Sequence, residues 1–449
     1  MPILIRNLAR VELQDSYKLE VLRMYSHENR NGEVIQNYIY RDGVAFLPLN
    51  STKLGLVSVL TGQELVDERS EGAPLKEPFC LNPEFKLREH QEQAAPALLT
   101  HIRKNFYGVL KAGCGSGKTI VNTMACGHLQ KKTLILVDQG NLAGQWQEAF
   151  KMVWNKDAVI LKSEKDLEAD VVIATFQFLN RNPEILKKMK DLFGCCVCDE
   201  MQISAAVTYK KVLMSLNNKY RIGTTATLMK KGFSNEVLTD LISDVSVEMK
   251  DSNTLTPEIH FLSTDVGWCS NNPDDFSKIL TELSQNDQRN SLIIELIKKE
   301  VLRGRRVLFV GARIESLTYL HSKVSEFCVA TLYVGSTTLK QDQALKDEVA
   351  SGKVQVVFAD KKLEKGCDVP SLDVLILAKP VNNEATVTQL VGRIVRALQG
   401  KPTPIVYDLY DRGSLAWRFA GNRLRWYRQL GYKIIGNPDF SLDTPFGSC

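Results

Sequence analysis

The stretch KAGCGSGKT, Lys111–Thr119, decides the fold of this chain. A short apolar run, residues 107–110, precedes it, and a helix-like run, residues 120–129, follows it. A glycine-rich loop between a strand and a helix is the context that a phosphate-binding loop requires. Glycines let successive backbone N–H groups turn inward around a phosphate, and the free N–H groups of the helix start add to that attraction. The stretch therefore predicts a nucleoside triphosphate site.

The parts of this loop have distinct roles in phosphate binding. Lys118 would reach the β- and γ-phosphates, and the hydroxyl of Thr119 would hold Mg²⁺. The strict pattern has a glycine where this chain has Ala112, and a glycine-rich turn arising by chance is the alternative interpretation. The flanking strand and helix argue against that alternative. The residues expected to place backbone N–H groups around the phosphates are Gly113, Gly115, Ser116 and Gly117.

Length and composition bound the class of protein. A chain of 449 residues with 44% hydrophobic and 24% charged residues is long enough for about three domains and shows no bias toward disorder. Its net charge of +5 permits a polyanionic partner without requiring one. The apolar run at residues 3–5 is too short for a signal peptide, and no stretch approaches the ~18 apolar residues of a membrane span. We therefore expect a soluble, cytoplasmic protein with no membrane partner.

The ten cysteines are scattered without paired spacing. Cys195, Cys196 and Cys198 lie in an apolar run, which predicts buried strand residues rather than metal ligands. This usage fits a reducing, intracellular setting.

Residues 1–82 lack the regular alternation of apolar strand-like runs and helical patterns that marks the rest of the chain. They are predicted to form a small α+β accessory domain. Two strand-like runs, residues 34–40 and 44–47, flank the turn Arg41-Asp42-Gly43. Asp-Gly between such runs indicates a hairpin. The stretch Asp67–Pro83, rich in charge, Gly and Pro, reads as a linker.

Residues 83–250 and 251–449 each alternate apolar runs of strand length with helical patterns. Apolar runs without alternation suit strands that are buried on both faces of a parallel sheet, so each segment is predicted to be a doubly wound α/β domain. The second segment has no phosphate loop, which suggests a cleft that closes on nucleotide. The expected strands are residues 133–137, 170–175 and 194–198, then 258–262, 306–310, 354–359, 374–377 and 404–409. The expected helices include residues 182–192, 275–303, 315–325, 339–350 and 385–398.

Asp199 and Glu200 directly follow a predicted buried strand. Ligands bind at the carboxyl ends of strands in open α/β sheets, so Asp199 could hold Mg²⁺ and Glu200 could polarise the attacking water. An acidic strand end facing solvent is the alternative, and the phosphate loop upstream favours catalysis.

Arg393 and Arg396 lie three residues apart, which predicts that they share one face of a helix. From the second domain they could act as arginine fingers on the γ-phosphate. A solvated basic face is the alternative, but it does not explain Gly392, because glycine in mid-helix costs about 1 kcal/mol relative to alanine.

Eight short motifs occur in one order and together resemble the successive motifs of superfamily 2 helicases. The resemblance covers roughly residues 85–410, and the compact layout is most similar to phage-encoded branch-migration helicases. It implies two tandem RecA-like parallel-sheet domains that use ATP and Mg²⁺. The motifs are Arg88–Gln91, Ala112–Thr119, Leu142–Trp146, Thr175–Gln177, Asp199–Gln202, Thr225–Thr227, Gly366–Pro370 and Gln389–Arg396.

The resemblance also implies roles for single residues. Gln91 would read the adenine edge with Arg88 near the base, and Gln202 would couple the phosphate site to the second domain. Gly366 and Asp368 would lie near the ribose and the nucleic acid. Lys118, Asp199 and Glu200 keep the roles argued above, with Arg396 as the principal finger beside Arg393. The residues expected to contact or respond to nucleic acid are Gln145, Thr175, Thr225 and Thr227.

The expected activity is that of an ATP-dependent DNA helicase or translocase acting on single-stranded, forked or branched DNA, as a monomer, in DNA repair, recombination or replication. The N-terminal domain would grip or split the duplex arm, and a phage-encoded protein would work in the cytoplasm of its bacterial host. An RNA helicase, an ATP-gated nucleic-acid clamp and a motor subunit of a restriction complex stay open as alternatives.

A C-terminal helix with interleaved aromatic and basic residues is also predicted, between Trp417 and Arg428. It could grip phosphates and stack on bases. Alternatively, it packs its aromatic side chains on the second domain and leaves its arginines in solvent.

Overall fold

In the computed structural model the chain forms two compact units, Met1–Asp251 and Ser252–Cys449. The residues that the structure describes are 2–28, 34–113, 115–138, 140–201, 207–225, 239–249, 254–265, 275–334, 347–349, 351–360, 371–398, 400–412 and 415–436. None of the described helices is both long and apolar enough to cross a membrane.

The first unit begins with a small α+β module. Its described sheet has the strand order β5-β6-β2-β1-β7, in which only β1 and β7 pair in parallel. Strands β3 and β4 form a separate antiparallel pair. The elements are β1 (Ile3–Ile5), β2 (Ala9–Glu12), α1 (Asp15–Met24), β3 (Ser26–Glu28), β4 (Val34–Gln36), β5 (Ile39–Arg41), β6 (Val44–Leu47), α2 (Ser51–Thr61) and β7 (Leu65–Asp67).

The predicted hairpin is confirmed, but its first strand is shorter than expected. Asp42 and Gly43, with φ of 49° and 78°, make the tight turn between β5 and β6, as paired left-handed residues do in hairpins. The run 34–40 is divided at Asn37, which is buried and bonds away from the sheet. A buried polar side chain with a distant partner therefore overrides local strand propensity.

The remainder of the first unit is a parallel α/β domain, as predicted. Its described sheet has the order β10-β11-β9-β12-β13-β8-β14, with every pairing parallel. The strands are β8 (Tyr107–Ala112), β9 (Thr133–Val137), β10 (Val159–Ile160), β11 (Val171–Thr175), β12 (Cys195–Cys198), β13 (Tyr220–Thr225) and β14 (Val247–Met249). The helices are α3 (Glu89–Asn105), α4 (Lys118–Leu129), α5 (Ala143–Trp154), α6 (Phe176–Arg181), α7 (Pro183–Lys188) and α8 (Val207–Ser215).

Strand β12 is buried along its whole length, as the apolar run around its cysteines predicted. Cys195, Cys196 and Cys198 are thiols that are not joined in a disulfide, and burial raises the pKa of the Cys196 thiol to about 12. A thiol with so high a pKa stays protonated and packs as a small apolar group.

The stretch Asp67–Pro83 does not run free as a linker; it packs on the α/β domain. Ser70 forms a bridge with Asn218, and Phe79 is 4% exposed within the apolar core. At Gly72, which has φ of 77°, a Cβ atom would lie 2.2 Å from the backbone nitrogen of Gly194. Composition alone suggested a linker because glycine serves close backbone approach as well as loops.

The module and the α/β domain are joined by a buried polar cluster around Asp240, which is 0% exposed. Its carboxylate is 2.7 Å from His27 Nε2 and 2.6 Å from Lys53 Nζ, and it accepts a hydrogen bond of 2.9 Å from Asn37 Nδ2. The neighbouring Leu241 carbonyl accepts from the guanidinium of Arg221 in β13. Three separate segments of the module thus converge on one carboxylate of the α/β domain.

The second unit is another parallel α/β domain, again as predicted. Its described sheet has the order β17-β18-β16-β19-β20-β15-β21. Its strands are β15 (Glu258–Asp265), β16 (Val307–Val310), β17 (Ala330–Tyr333), β18 (Val356–Ala359), β19 (Val374–Leu377), β20 (Ile405–Arg412) and β21 (Lys433–Ile435). The helices are α9 (Phe276–Gln285), α10 (Asp287–Leu302), α11 (Ile314–Val324), α12 (Glu384–Gly392) and α13 (Leu415–Gln429).

Two helices of this unit differ from their predicted extents. The run 275–303 is divided because the Asn286 side chain accepts the backbone N–H of Arg289 and caps a new helix. The run 385–398 ends early, at Gly392, so the prediction of one helical face for Arg393 and Arg396 was wrong. Of the run 339–350, only residues 347–349 are described, and they are helical.

The C-terminal helix α13 is present, and its packing is decided by Arg423 and Tyr427. Both are 0% exposed. Arg423 donates to both oxygens of the buried Asp408, at 2.8 and 2.6 Å, and the Tyr427 hydroxyl donates to the same carboxylate at 2.9 Å. These two side chains therefore belong to the domain interior, whereas Arg418 and Arg425 are exposed.

Candidate nucleotide-binding site

The loop between β8 and α4 has the geometry of a phosphate cradle. Gly115 and Gly117 have φ of 87° and 81°, a region that side-chain-bearing residues rarely adopt. A Cβ atom on Gly117 would lie 2.2 Å from Gln91 Nε2. The buried Ser116 hydroxyl donates to the Gly113 carbonyl at 2.8 Å, which holds the loop closed on itself.

Lys118 is the first residue of α4, and its side chain lies over the loop. Its Nζ donates to the Ala112 carbonyl at 3.2 Å and is 3.9 Å from Glu200 Oε1. The ammonium therefore connects the loop to the carboxylate that follows β12. A triphosphate would offer this cation stronger partners than a carbonyl does.

The start of helix α3 is fastened to the same loop. Gln91 Nε2 donates to the Ser116 carbonyl at 3.2 Å, and the Gln91 side-chain oxygen accepts from the Arg88 backbone N–H at 3.0 Å. His90 Nε2 is 2.9 Å from the same Ser116 carbonyl. Gln91 is 3% exposed, so its amide holds the loop in this structure, and its adenine contact stays a prediction.

Asp199 lies directly after β12, as predicted, and is held by two donors from neighbouring elements. The Trp146 indole N–H donates to Oδ2 at 2.9 Å, and the Thr224 hydroxyl donates to Oδ1 at 2.7 Å. Burial and the nearby Glu200 raise the pKa of Asp199, while Thr224, Trp146 and Lys118 lower it. These donors fix the orientation of the carboxylate.

Glu200 has a left-handed backbone, with φ of 50°. This conformation is uncommon for a residue with a side chain and costs about 1 kcal/mol or more. The turn is stabilised by its own N–H, which donates to Asp199 Oδ1 at 3.0 Å and to Thr224 Oγ1 at 3.2 Å. The turn brings the Glu200 carboxylate to within 3.9 Å of the Lys118 ammonium.

The donor set fits a nucleotide-bound Mg²⁺. Asp199 supplies a charged oxygen, and the half-buried Thr119 supplies a hydroxyl at the second position of α4. Magnesium prefers oxygen ligands and usually takes only one or two from the protein, with phosphates and waters supplying the rest. Asp199 and Thr119 are therefore the residues that would hold the ion.

Trp146 and Thr224 were not anticipated as parts of this site. The Trp146 side chain is 1% exposed, and sequence analysis named it only as the last residue of the motif Leu142–Trp146. Thr224 lies on β13, which the sheet order places between β12 and β8. The position of Thr224 near the end of a strand, just before Thr225, could have marked it as a candidate. Its hydrogen bond to Asp199, however, depends on β13 lying next to β12 in the sheet.

The residues expected to contact nucleic acid have varied surroundings. The Thr175 hydroxyl caps α6 by accepting the Phe178 N–H at 3.1 Å. Thr225 is 0% exposed at the end of β13, and Gln145 is half-buried on α5. Nearby, Gln177 and Tyr209 both donate to Asp138. Nucleic-acid contact by Gln145, Thr175 and Thr225 stays a prediction.

Arg393 and Arg396 belong to the second unit and lie beyond the end of α12. Arg393 is the C-terminal cap, with its N–H donating to the Leu390 carbonyl at 3.1 Å, and Arg396 pairs in an antiparallel bridge with Thr254. Both side chains are half-buried. The predictions for Gln202, Thr227, Gly366 and Asp368 lie outside the described residues.

Trp146→Phe should move the acid limb of the pH profile of ATP hydrolysis to higher pH. The indole N–H lowers the pKa of Asp199, so its loss raises that pKa, and the metal-binding carboxylate is protonated at a higher pH than before. We also expect the affinity of the site for Mg²⁺ to fall about tenfold, so that hydrolysis needs a higher Mg²⁺ concentration. Tenfold is the low end for loss of a contact that orients a metal ligand.

Trp154→Phe is the matched control for this experiment, because the buried Trp154 indole donates to the Thr123 carbonyl instead. Both variants lose a similar packing volume. A pH profile that moves equally in both variants would contradict the role assigned to Trp146.

Comparison with known proteins agrees with this architecture. Residues 84–230 match the family model for the res subunit of type III restriction enzymes, and residues 288–398 match the helicase conserved C-terminal domain. The probable helicase D10 of Escherichia phage T5 is 27% identical over 375 residues, which are 83% of this chain and 81% of D10.

A more distant relative is XPB of Drosophila melanogaster, the helicase/translocase subunit of general transcription and DNA repair factor IIH. It is 23% identical over 389 residues, which are 79% of this chain but only 48% of XPB. Among solved structures, S. cerevisiae Dbp5 bound to RNA and ADP BeF3 has a TM-score of 0.57 at 13% identity, covering 78% of this chain and 90% of that one. The Dbp5 similarity concerns the fold of two RecA-like domains. With a phosphate loop, an Asp-Glu pair held beside it and two matched helicase domains, the chain belongs to the superfamily 2 helicases, which hydrolyse ATP.

Proposed function

We propose that this protein is an ATP-driven motor that translocates on DNA and unwinds or branch-migrates forked or branched DNA. The observation that carries the proposal is the arrangement of Lys118, Asp199 and Glu200 around one loop, with Lys118 Nζ 3.9 Å from Glu200. Support for DNA comes from the similarity to XPB, a subunit of a general transcription and DNA repair factor. The D10 similarity supports a phage-type helicase that works in the cytoplasm of a bacterial host.

The chemistry follows from the residues of the loop and the Asp-Glu pair. The backbone of the loop and Lys118 would bind the β- and γ-phosphates, and Asp199 with Thr119 would hold Mg²⁺, which supplies neutralising charge there when bound. Glu200 would orient the attacking water and accept its proton. Arg393 and Arg396 are proposed as arginine fingers that stabilise charge on the γ-phosphate.

Hydrolysis is proposed to drive movement through successive closed and open states of the two RecA-like domains. Contacts to the strand would be mainly to phosphates, so binding should tolerate any sequence and weaken steeply with salt. Within this mechanism Gln202, Thr225 and Thr227 would couple hydrolysis to movement, Gly366 and Asp368 would lie near the ribose, and Gln145 and Thr175 would contact the strand. The protein is proposed to act as a monomer.

The test is ATP hydrolysis at one fixed salt concentration with no nucleic acid, single-stranded, duplex, forked and four-way DNA, and matched RNA. Strong stimulation by DNA, greatest with branched forms, is the expected result. Stimulation by RNA alone would identify an RNA helicase instead. Absence of hydrolysis under every condition would favour an ATP-gated clamp.

A further inference from the structure

The second unit contains a cavity of about 660 Å³ that the nucleotide chemistry above does not use. Three segments line it, namely the end of α9, the start of α10 and the start of α11. The side chains that matter below are Ser284, Asp287, Asn290, Arg313, Glu315 and Tyr319. Its volume falls in the range of small-molecule sites, ~300–1,000 Å³.

Two polar groups at this cavity lack a hydrogen-bond partner among the described residues. Asn290 is 4% exposed and its amide nitrogen donates to the Ser284 carbonyl at 3.1 Å, but its side-chain oxygen has no partner. Arg313 donates from Nη2 to the Ser277 hydroxyl at 2.8 Å, but its Nε has no partner. Buried polar groups are nearly always paired. Both atoms are shielded from solvent, so a ligand that offers both a donor and an acceptor would pair with them once the two side chains turn toward the cavity.

The charge of the lining disfavours a phosphate. The lining residues carry one positive charge, on Arg313, and two negative charges, on Asp287 and Glu315. The N-terminal ends of α10 and α11 could attract an anion, but these two acids lie in the first turns of those helices and match their dipoles. A neutral polar group therefore fits better than an anion.

Tyr319 supplies an aromatic surface at the same place. It lines the cavity, is 44% exposed and has no ring partner among the described residues. Nucleobases combine a flat face for stacking with an edge that carries both donors and acceptors, and aromatic side chains stack on unpaired bases regardless of sequence.

We propose that this cavity binds one unpaired nucleobase of the strand on which the motor acts. The base stacks on Tyr319, and a turn of the Asn290 amide brings its oxygen, together with the Arg313 guanidinium, to the edge of the base. This site rests on the proposed function, since it requires a nucleic-acid strand, and it adds a base contact to what are otherwise phosphate contacts. The cavity would therefore hold single-stranded but not duplex DNA, because the bases of a duplex are already paired and stacked.

The test compares binding of an oligothymidine strand with an abasic deoxyribose-phosphate strand of equal length, at one salt concentration. Tyr319→Ala should bind oligothymidine about tenfold more weakly than the unaltered protein, as expected for one lost stacking contact, and should bind the abasic strand unchanged. Tyr319→Phe keeps the ring and should restore binding. Phe327→Ala, which removes another exposed ring of this unit outside the cavity, should have no effect.

Several outcomes would overturn the site. Equal loss of affinity for both strands in Tyr319→Ala would show a structural role, and unchanged oligothymidine binding would show that the ring contacts no base. Free thymidine that competes as well as the strand would assign the cavity to a nucleoside instead. If the unaltered protein bound no strand at all, the proposed motor function would be overturned together with the site. The preceding outcomes would overturn only the base site, so the two failures can be told apart.

Discussion

Lys118→Ala should lower ATP turnover by about a hundredfold or more. This is the loss seen when an enzyme loses a preorganised group that stabilises the charge of the transition state. The Lys118 ammonium begins α4 and lies 3.2 Å from the Ala112 carbonyl and 3.9 Å from Glu200. It is therefore placed to contact the β- and γ-phosphates and to stabilise the negative charge that develops on them during hydrolysis. The measurement is steady-state ATP hydrolysis with and without single-stranded DNA.

Glu200→Gln is the matched control, because it removes a charge on the opposite side of the same contact. This variant should still bind ATP and stall before hydrolysis, whereas Lys118→Ala should bind ATP weakly. Binding of a fluorescent ATP analogue separates the two. Full hydrolysis in either variant would refute the site assignment.

Asp240→Ala should destabilise the first unit by about 3–5 kcal/mol, the cost of removing one partner from a buried ion pair. Asp240 is 0% exposed, and its carboxylate meets His27, Asn37 and Lys53. Without it, three polar groups of the N-terminal module would lose the carboxylate on which they converge, and the Lys53 ammonium would keep the Met24 carbonyl as its acceptor. Chemical denaturation, followed by circular dichroism, measures the change in the free energy of unfolding.

Asp244→Ala provides the control, since Asp244 is exposed and lies four residues away on the same segment. Its effect should stay within ~0.5 kcal/mol, as for ordinary surface substitutions. If Asp240→Ala were equally mild, the buried cluster would not be what holds the module on the α/β domain.

The elements recovered from sequence are those whose signal is local. The start of α4 at Lys118 and the turn at Asp42-Gly43 follow from glycine chemistry and short-range periodicity. Strands β9 and β12 follow from apolar runs, because strands buried on both faces need apolar side chains at every position.

The elements missed are those whose outcome depends on a distant partner. Residues 67–83 resemble a linker in composition, yet the bridge between Ser70 and Asn218 fixes them to the domain. The run after Gly392 has helical periodicity, yet the chain leaves the helix there and Arg396 pairs with Thr254. Long-range pairing routinely overrides weak local propensity.

By itself, the sequence determined that this protein has a phosphate loop, an Asp-Glu pair at a strand end and two α/β domains, since spacing along the chain encodes each of these. Only the tertiary structure decided which groups hold the Asp199 carboxylate, where Arg423 and Asp240 are buried, and that a polar cavity lies beside Tyr319. The physical reason is that hydrogen bonds and burial are set by which strands and helices become neighbours, and the order of strands in a sheet differs from their order along the chain.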